Sequence, residues 1–294
     1  EDCTADGNTV ILPPGLKSGA NRRKRGEDIE KDDIILRRGQ LLRPQELGLA
    51  ASVGRDRLRV YRRLRAAVFS TGDEVCDPSG DSIEGGIYDA NRFAIMGLLD
   101  SLGCIVTDLG ILPDDQNQIA TALQGAVPVH DIILTSGGVS AGEEDHVKAA
   151  VEQNGTLDFW RLAIKPGRPI ALGQVKGTAF VGLPGNPVAA MVTFMVIARA
   201  MILLLGGATN VSAPRFPVVA DFDYKKKSGR REWVRASIAR NLAGQVVASK
   251  FRSSGAGILT SMVAADGLVE LPEDIEVVRA GEIVDFLSFN EVSR

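Results

Sequence analysis

Histidine and cysteine are scarce in this chain of 294 residues: two histidines, His130 and His146, and three cysteines, Cys3, Cys76 and Cys104. The cysteines are odd in number, form no CxxC pair and have no histidine at zinc-like spacing, so neither a disulfide framework nor a structural zinc is supported. That usage fits the reducing cytoplasm. No GxSxG nucleophile elbow exists to pair with a histidine, and His146 stands beside an acidic helix start, so both histidines read as ordinary surface or core residues. An excess of basic charge is also lacking: the net charge is −3 and the isoelectric point about 5.6, which argues against a nucleic-acid partner. The two basic stretches, Asn21 to Asp33 and Tyr224 to Arg235, read as solvated loops, the first closed by acids and the second broken by a hairpin turn. No signal peptide, repeat or low-complexity tract is visible in these residues. One run, Pro187 to Gly207, has about the minimum membrane-spanning length but carries Arg199 in its middle, so it reads as a buried helix and no membrane partner is expected. Asn186 is placed to cap that helix, Pro187 to open it, and Gly206 and Gly207 to stop it.

What is present is a core-forming composition, 45% hydrophobic, in a chain long enough for two domains or a single large one. From residue 65 to 208, strands at Ala67 to Ser70, Ile105 to Leu109 and Asp131 to Thr135 alternate with helices at Asp89 to Leu102, Gln116 to Gly125 and Asp145 to Asn154. Further strands are expected around Asp158 to Ile164, Ile170 to Gln174 and Ala179 to Leu183, before the long apolar helix. Such alternation predicts βαβ units and a parallel sheet covered on both faces. Residues 1–64 read as a partial β-rich module. Residues 209–294, where the helical signal vanishes, read as an all-β module. The predicted fold is therefore α/β, a parallel-sheet core flanked by a partial N-terminal β-rich module and a C-terminal all-β module.

Three apolar strand-like runs end in acids or a glycine loop: Ala66 to Glu74, Leu109 to Asp115 and Asp131 to Asp145. In an open parallel sheet the carboxyl ends of the strands meet in one crevice, so the three would converge on a ligand. Ser136, Gly137 and Gly138 can turn backbone N–H groups toward a phosphate. The neighbouring Asp73, Glu74, Asp114, Asp115 and Glu143 to Asp145 would repel that phosphate unless a cation lay between, and Mg²⁺ takes carboxylate and phosphate oxygens together. The competing reading is that Glu143 to Asp145 only cap a helix.

Five strings in one order carry a resemblance: STGDE (Ser70 to Glu74), IYDANR (Ile87 to Arg92), SGGVSAGEED (Ser136 to Asp145), FWRLAIKPGRP (Phe159 to Pro169) and LPGNPV (Leu183 to Val188). Together they closely resemble the MoeA family of molybdopterin molybdenumtransferases, also represented by the E domain of gephyrin. The resemblance implies a molybdopterin-binding α/β core that inserts molybdate into adenylylated molybdopterin, with Mg²⁺-dependent release of AMP, in a cytoplasmic homodimer. Molybdate and the adenylylated pterin are then substrates, and an upstream adenylyltransferase is a possible partner. By the same resemblance Glu74, Asp114 and Asp145 hold the metal or orient water, and Asp28 is a further acidic catalytic position from the N-terminal module. Lys165 completes that set, within a basic strip, Arg161, Lys165 and Arg168, suited to molybdate and the pterin phosphate. Arg235, Ser136, Gly137, Gly138, Pro184, Gly185 and Asn186 match substrate-binding positions, the last three serving equally well as a turn and helix cap.

Two departures from the family pattern stand out. Arg161 replaces a lysine common in relatives, and Gly255-Ala256-Gly257 replaces a glycine-serine-glycine, for which Ser253 or Ser254 can substitute. The chain begins Glu1-Asp2-Cys3 without methionine, and relatives carry a helical region with further site residues before this point; the expectation is a start inside a longer gene product and slower turnover by the shorter chain. Two alternatives are an adenylyltransferase of molybdopterin, which would have a GGTG-type loop where this chain has Gly137-Gly138-Val139-Ser140, and a gephyrin-like scaffold.

Overall fold

In the computed structural model, which describes residues 3–15, 17–20, 22–80, 83–138 and 146–293, and residues 159 and 160 by backbone alone, the chain divides into two compact units, Glu1–Leu58 and Arg59–Arg294. The first holds a hairpin of β1 (Thr4–Asp6) and β2 (Thr9–Ile11), turned at Gly7, and the helix α1 (Pro44–Ser52). Pro44 opens α1, where its missing N–H goes unneeded. Glu46 closes a capping box, accepting from the Arg43 N–H at 2.9 Å and from its guanidinium at 2.6 Å.

The second unit begins with the expected alternation: β3 (Arg65–Thr71), the short pair β4 (Val75–Cys76) and β5 (Ile87–Tyr88), α2 (Ala90–Ser101), β6 (Ile105–Leu112), α3 (Gln116–Ala126), β7 (Ile132–Ser136) and α4 (His146–Glu152). Next come β8 (Gly155–Arg161), β9 (Ile164–Lys165), β10 (Pro169–Val175) and β11 (Thr178–Leu183), then α5 (Pro187–Thr193), a π-helical turn (Phe194–Ala198) and α6 (Arg199–Leu205). Asp89 and Asp115 cap α2 and α3, accepting the N–H groups of Arg92 and Gln118. Asn186 occupies the N-cap position of α5, but its side chain makes no capping hydrogen bond.

Six strands form one sheet in the order β6-β3-β7-β11-β10-β8. The first four are parallel, whereas β10 runs antiparallel to both neighbours, so the sheet is mixed and not parallel throughout as expected. The cause is local: Lys176 (φ 48°) and Gly177 (φ 87°) form a two-residue hairpin loop that forces β11 back along β10. Buried residues alternate between the faces, Ala66 and Val68 on one and Ala67 and Phe69 on the other, as do Ile132 and Leu134 against Ile133. Helices α2 and α5 supply the first face and α3 and α4 the second. Each fully buried Ile or Leu stabilises this packing by about 1.5–3 kcal/mol. The Pro187–Leu205 helix is apolar and half buried, and Phe194, Ala198 and Ile202 place it in the core.

The C-terminal part is β-rich: β12 (Phe216–Ala220), β13 (Tyr224–Lys225), β14 (Arg231–Arg240), β15 (Val246–Lys250), the one-turn helix α7 (Thr260–Val263), β16 (Gly267–Leu271), β17 (Val277–Val278), β18 (Ile283–Ser288) and the one-turn helix α8 (Phe289–Val292). Strands run β15-β12-β18-β16-β14, and β14 pairs back onto β15, closing a barrel around Ala236, Ala248, Val269 and Phe286. Two features depart from expectation. β13 pairs with β17, so the Tyr224 to Arg235 segment is no hairpin, and β9 lies outside the first sheet and pairs with β14, setting Lys165 opposite Glu232.

Candidate active site

The carboxyl ends of β3, β7 and β11 are adjacent, with Ser70 opposite Ser136 and Ser136 opposite Leu183. Here the glycine loop of β7 meets the Pro184–Gly185 turn of β11. Asn91, in the first turn of α2, ties them together: its Nδ2 donates to Ser136 Oγ at 2.8 Å and to the Gly185 carbonyl at 2.6 Å, while Ser136 Oγ donates to the Pro184 carbonyl at 3.0 Å. Gly138 has no alternative in this place. At φ 60° a Cβ there would lie 2.5 Å from Val147 Cγ2 and 2.6 Å from Thr71 Cγ2. Ser136, Gly137, Gly138, Pro184 and Gly185 thus converge, with the side chain of Asn186 exposed beside them and not used in capping.

The acids divide into free and committed groups. Glu74 and Asp114 are exposed just beyond the ends of the neighbouring strands β3 and β6, and Glu74 folds back over Gly72, where a Cβ would stand 3.0 Å from its Oε2. Asp115 is spent on capping α3. Asp145 lies outside the described residues, as do Glu143 and Glu144, and Asp28 belongs to the first unit. Among the described residues, no three His, Cys, Asp or Glu side chains are gathered closely enough to hold a metal.

The basic strip separates. Arg161 and Arg168 are exposed at facing ends of β8 and β10, where Leu162 N donates to the Arg168 carbonyl at 2.8 Å. Gly167 turns the chain at φ 93° against α5, where any Cβ would strike Thr193 Oγ1. Lys165 lies on β9 at the edge of the barrel sheet, where with Arg235, Lys250 and Arg252 it lines a cavity of about 130 Å³. That exceeds the roughly 10–15 Å³ needed by one water. Arg235 is buried with no carboxylate partner among the described residues: it donates to Ser261 Oγ at 3.0 Å and to the Ser253 and Gly255 carbonyls at 3.0 and 3.1 Å, and burial pushes its pKa down. Ser253 and Ser254 add hydroxyls to the lining. Glu232, the one carboxylate in the lining among the described residues, is 1% exposed and accepts from Tyr224 Oη at 2.8 Å and from Arg230 Nε at 2.7 Å. Against the cost of burial, those bonds hold its carboxyl below the usual range; burial and then the bond to Glu232 raise the Tyr224 phenol.

The loop that walls this cavity also reaches the crevice. The Ala256 carbonyl accepts the Val188 N–H at 3.0 Å, in the first turn of α5 directly after Asn186.

Three family models match the chain in succession: "MoeA N-terminal region (domain I and II)" over residues 1–54, "Probable molybdopterin binding domain" over 67–203, and "MoeA C-terminal region (domain IV)" over 217–289. The chain is 38% identical to the molybdopterin molybdenumtransferase of Haemophilus influenzae, an alignment covering 97% of this chain and 70% of that one. The chain belongs to the MoeA family of molybdopterin molybdenumtransferases. It is also 34% identical to molybdopterin molybdenumtransferase 2 of Mycobacterium tuberculosis, over 93% of this chain and 68% of the relative. The molybdopterin biosynthesis MoeA protein of Pyrococcus horikoshii superposes with a TM-score of 0.77 at 28% identity, covering 98% of this chain and 69% of that one.

Within this MoeA chain, sequence reasoning missed the Arg92 cluster. Arg92 is 3% exposed and pairs with Asp89 at 2.9 Å and with Asp77 and Asp108. Burial opposes its charge, and the carboxylates more than restore it, so its pKa is raised. IYDANR therefore builds the crevice: Asp89 and Arg92 fix the start of α2, and Asn91 between them clips the crevice loops. The signal was present, since Arg92 stands three residues after a helix-capping Asp, a spacing that puts them one turn apart.

Proposed function

We propose that this chain catalyses the insertion of molybdate into adenylylated molybdopterin with Mg²⁺-dependent release of AMP, as a cytoplasmic homodimer. The observation that carries the reading is the placement of four cations, Lys165, Arg235, Lys250 and Arg252, around one small cavity whose wall is tied by Ala256 to the crevice turn at α5. A tetrahedral oxyanion suits that cavity: guanidinium and ammonium donors with two serine hydroxyls supply charge and hydrogen bonds from several directions. At the crevice, the Gly137 and Gly138 backbone would receive the pterin phosphate, and Asn91 keeps the two loops in register. Arg161 and Arg168 are assigned to the anionic parts of the pterin, and Asp28, in the first unit, keeps the acidic catalytic role that the family resemblance implies.

The donor set fits magnesium in kind. Glu74 and Asp114 are exposed carboxylates at adjacent strand ends, and Mg²⁺ is commonly held by one or two carboxylates, water and substrate phosphate. With Asp145 they would hold the ion, which when bound polarises the phosphate and eases departure of AMP. The boundaries at 64/65 and 208/209 remain part of the same reading, with β9 reaching across the second.

The experiment incubates the full-length protein with adenylylated molybdopterin, with and without molybdate and Mg²⁺, and measures AMP. Molybdate-stimulated release is expected. ATP-dependent adenylylation of molybdopterin, with no effect of molybdate on AMP release, would overturn the assignment in favour of an adenylyltransferase.

A further inference from the structure

Among the described residues, the one carboxylate lining the barrel cavity lies where an oxyanion site should not want one. Glu232 is on β14, directly opposite Lys165 on β9, and its two oxygens are unequally engaged. Oε1 is taken by Arg230, at 2.7 Å from Nε and 2.6 Å from Nη2. Oε2 is shared between Tyr224 Oη at 2.8 Å and Lys165 Nζ at 3.4 Å. Lys165 Nζ is in turn 3.3 Å from the Tyr224 oxygen. Both lysine contacts are long for hydrogen bonds, and the lysine side chain is 37% exposed, so the ammonium is restrained in place while still able to turn to a ligand.

We propose that Glu232 is a positioning residue which, through Lys165, limits the affinity of this cavity for doubly charged tetrahedral oxyanions. The inference rests on reading the cavity as the oxyanion site. Lys250, Arg252 and Arg235 attract the anion, and Lys165 must partly leave Glu232 to join them. The carboxylate both competes for Lys165 and repels the incoming charge, and the repulsion is twice as large for a dianion as for a monoanion of the same shape. A substrate that has to be passed on gains nothing from being held too tightly in its first site.

The test measures binding of molybdate and of perrhenate, a tetrahedral monoanion, to the full-length parent and to Glu232→Gln by calorimetry. Glutamine keeps an acceptor for Tyr224 and removes the charge. Glu232→Gln is expected to bind molybdate about tenfold more tightly and perrhenate only about threefold more tightly, the square root following from half the ligand charge. A purely structural role would weaken both anions or leave both unchanged. If Glu232→Gln does not fold, Tyr224→Phe decides: without the phenol, Glu232 holds Lys165 more closely, and molybdate should bind several-fold more weakly than in the parent. A folded Glu232→Gln with parental or weaker molybdate affinity overturns the inference and leaves the cavity reading intact, as does Tyr224→Phe with unchanged or tighter binding. A parent that binds neither anion overturns the cavity reading itself, and this inference with it.

Discussion

Removing the Arg92 guanidinium while keeping its length, as in Arg92→Met, strands three carboxylates of unequal vulnerability. Asp77 and Asp108 are 42% and 38% exposed at their side chains and can be rehydrated, but Asp89 is 2% exposed and would remain as a buried charge that keeps the Arg92 backbone N–H and loses Arg92 Nε. The cost is therefore dominated by one buried ion pair, and breaking such a pair from one side typically costs about 3–5 kcal/mol. For a cooperative unit of this size a kcal/mol moves the melting temperature by roughly 2–4 °C, so a fall of about 6–20 °C is expected. Urea unfolding of parent, Arg92→Met, Asp89→Asn and the double variant gives the coupling directly. The double variant should recover part of the loss, because it leaves no uncompensated charge. A loss below about 1 kcal/mol in Arg92→Met, or no recovery in the double variant, would refute the claim that Arg92 is held for this neutralisation.

Gly138→Ala should destabilise the second unit by about 1–3 kcal/mol, since Thr71 and Val147 must both give way, and a chemical denaturation curve matching the parent would contradict the packing described. Glu74→Ala and Asp114→Ala should each lose Mg²⁺-dependent AMP release at a stability cost below about 1 kcal/mol, because both side chains are exposed; retained turnover with unchanged Mg²⁺ dependence removes the metal assignment. Lys165→Ala should weaken molybdate binding, with added salt weakening it further, and parental affinity in titration would leave Lys165 as a mere border of the Gly167 turn. The hydrogen bond from Arg43 holds the Glu46 carboxyl at about 2, below its ordinary 4.5, so its support of α1 is complete above about pH 4.5 and lost as pH falls through 2; a carboxyl NMR titration with a midpoint near 4.5 would exclude the capping box.

The strands and helices of the α/β core were legible because their signals are local. Apolar runs such as Ile132 to Ser136, buried on both faces, announce a central strand, and Asp89 and Asp115 announce helix starts. The misread features depend on pairing between distant segments. Ile164–Lys165 and Tyr224–Lys225 are two-residue strands with no periodicity to detect, and only the closed barrel shows that they pair with β14 and β17. The antiparallel β10 was within reach, since Lys176-Gly177 between two apolar runs is a hairpin signal, but the surrounding βαβ rhythm outweighed it.

The charges follow the same division, and this bears on the proposed chemistry. A carboxylate pair and a dianion repel one another, so a chain handling both a metal and an oxyanion gains by keeping the two apart until the substrate joins them. Here Glu74 and Asp114 stand exposed at sheet ends, while Lys165 has been carried by β9 onto a different sheet, beside Arg235. The residues that bring it there are ordinary: Gly167, which lets the chain pack against α5, and Ile164, buried in the core cluster. Position in the sequence would have placed Lys165 with Arg161 and Arg168 in a single strip. Strand pairing separates them, and under the proposed reading that gives one short basic segment two tasks, Lys165 for the oxyanion and its neighbours for the pterin.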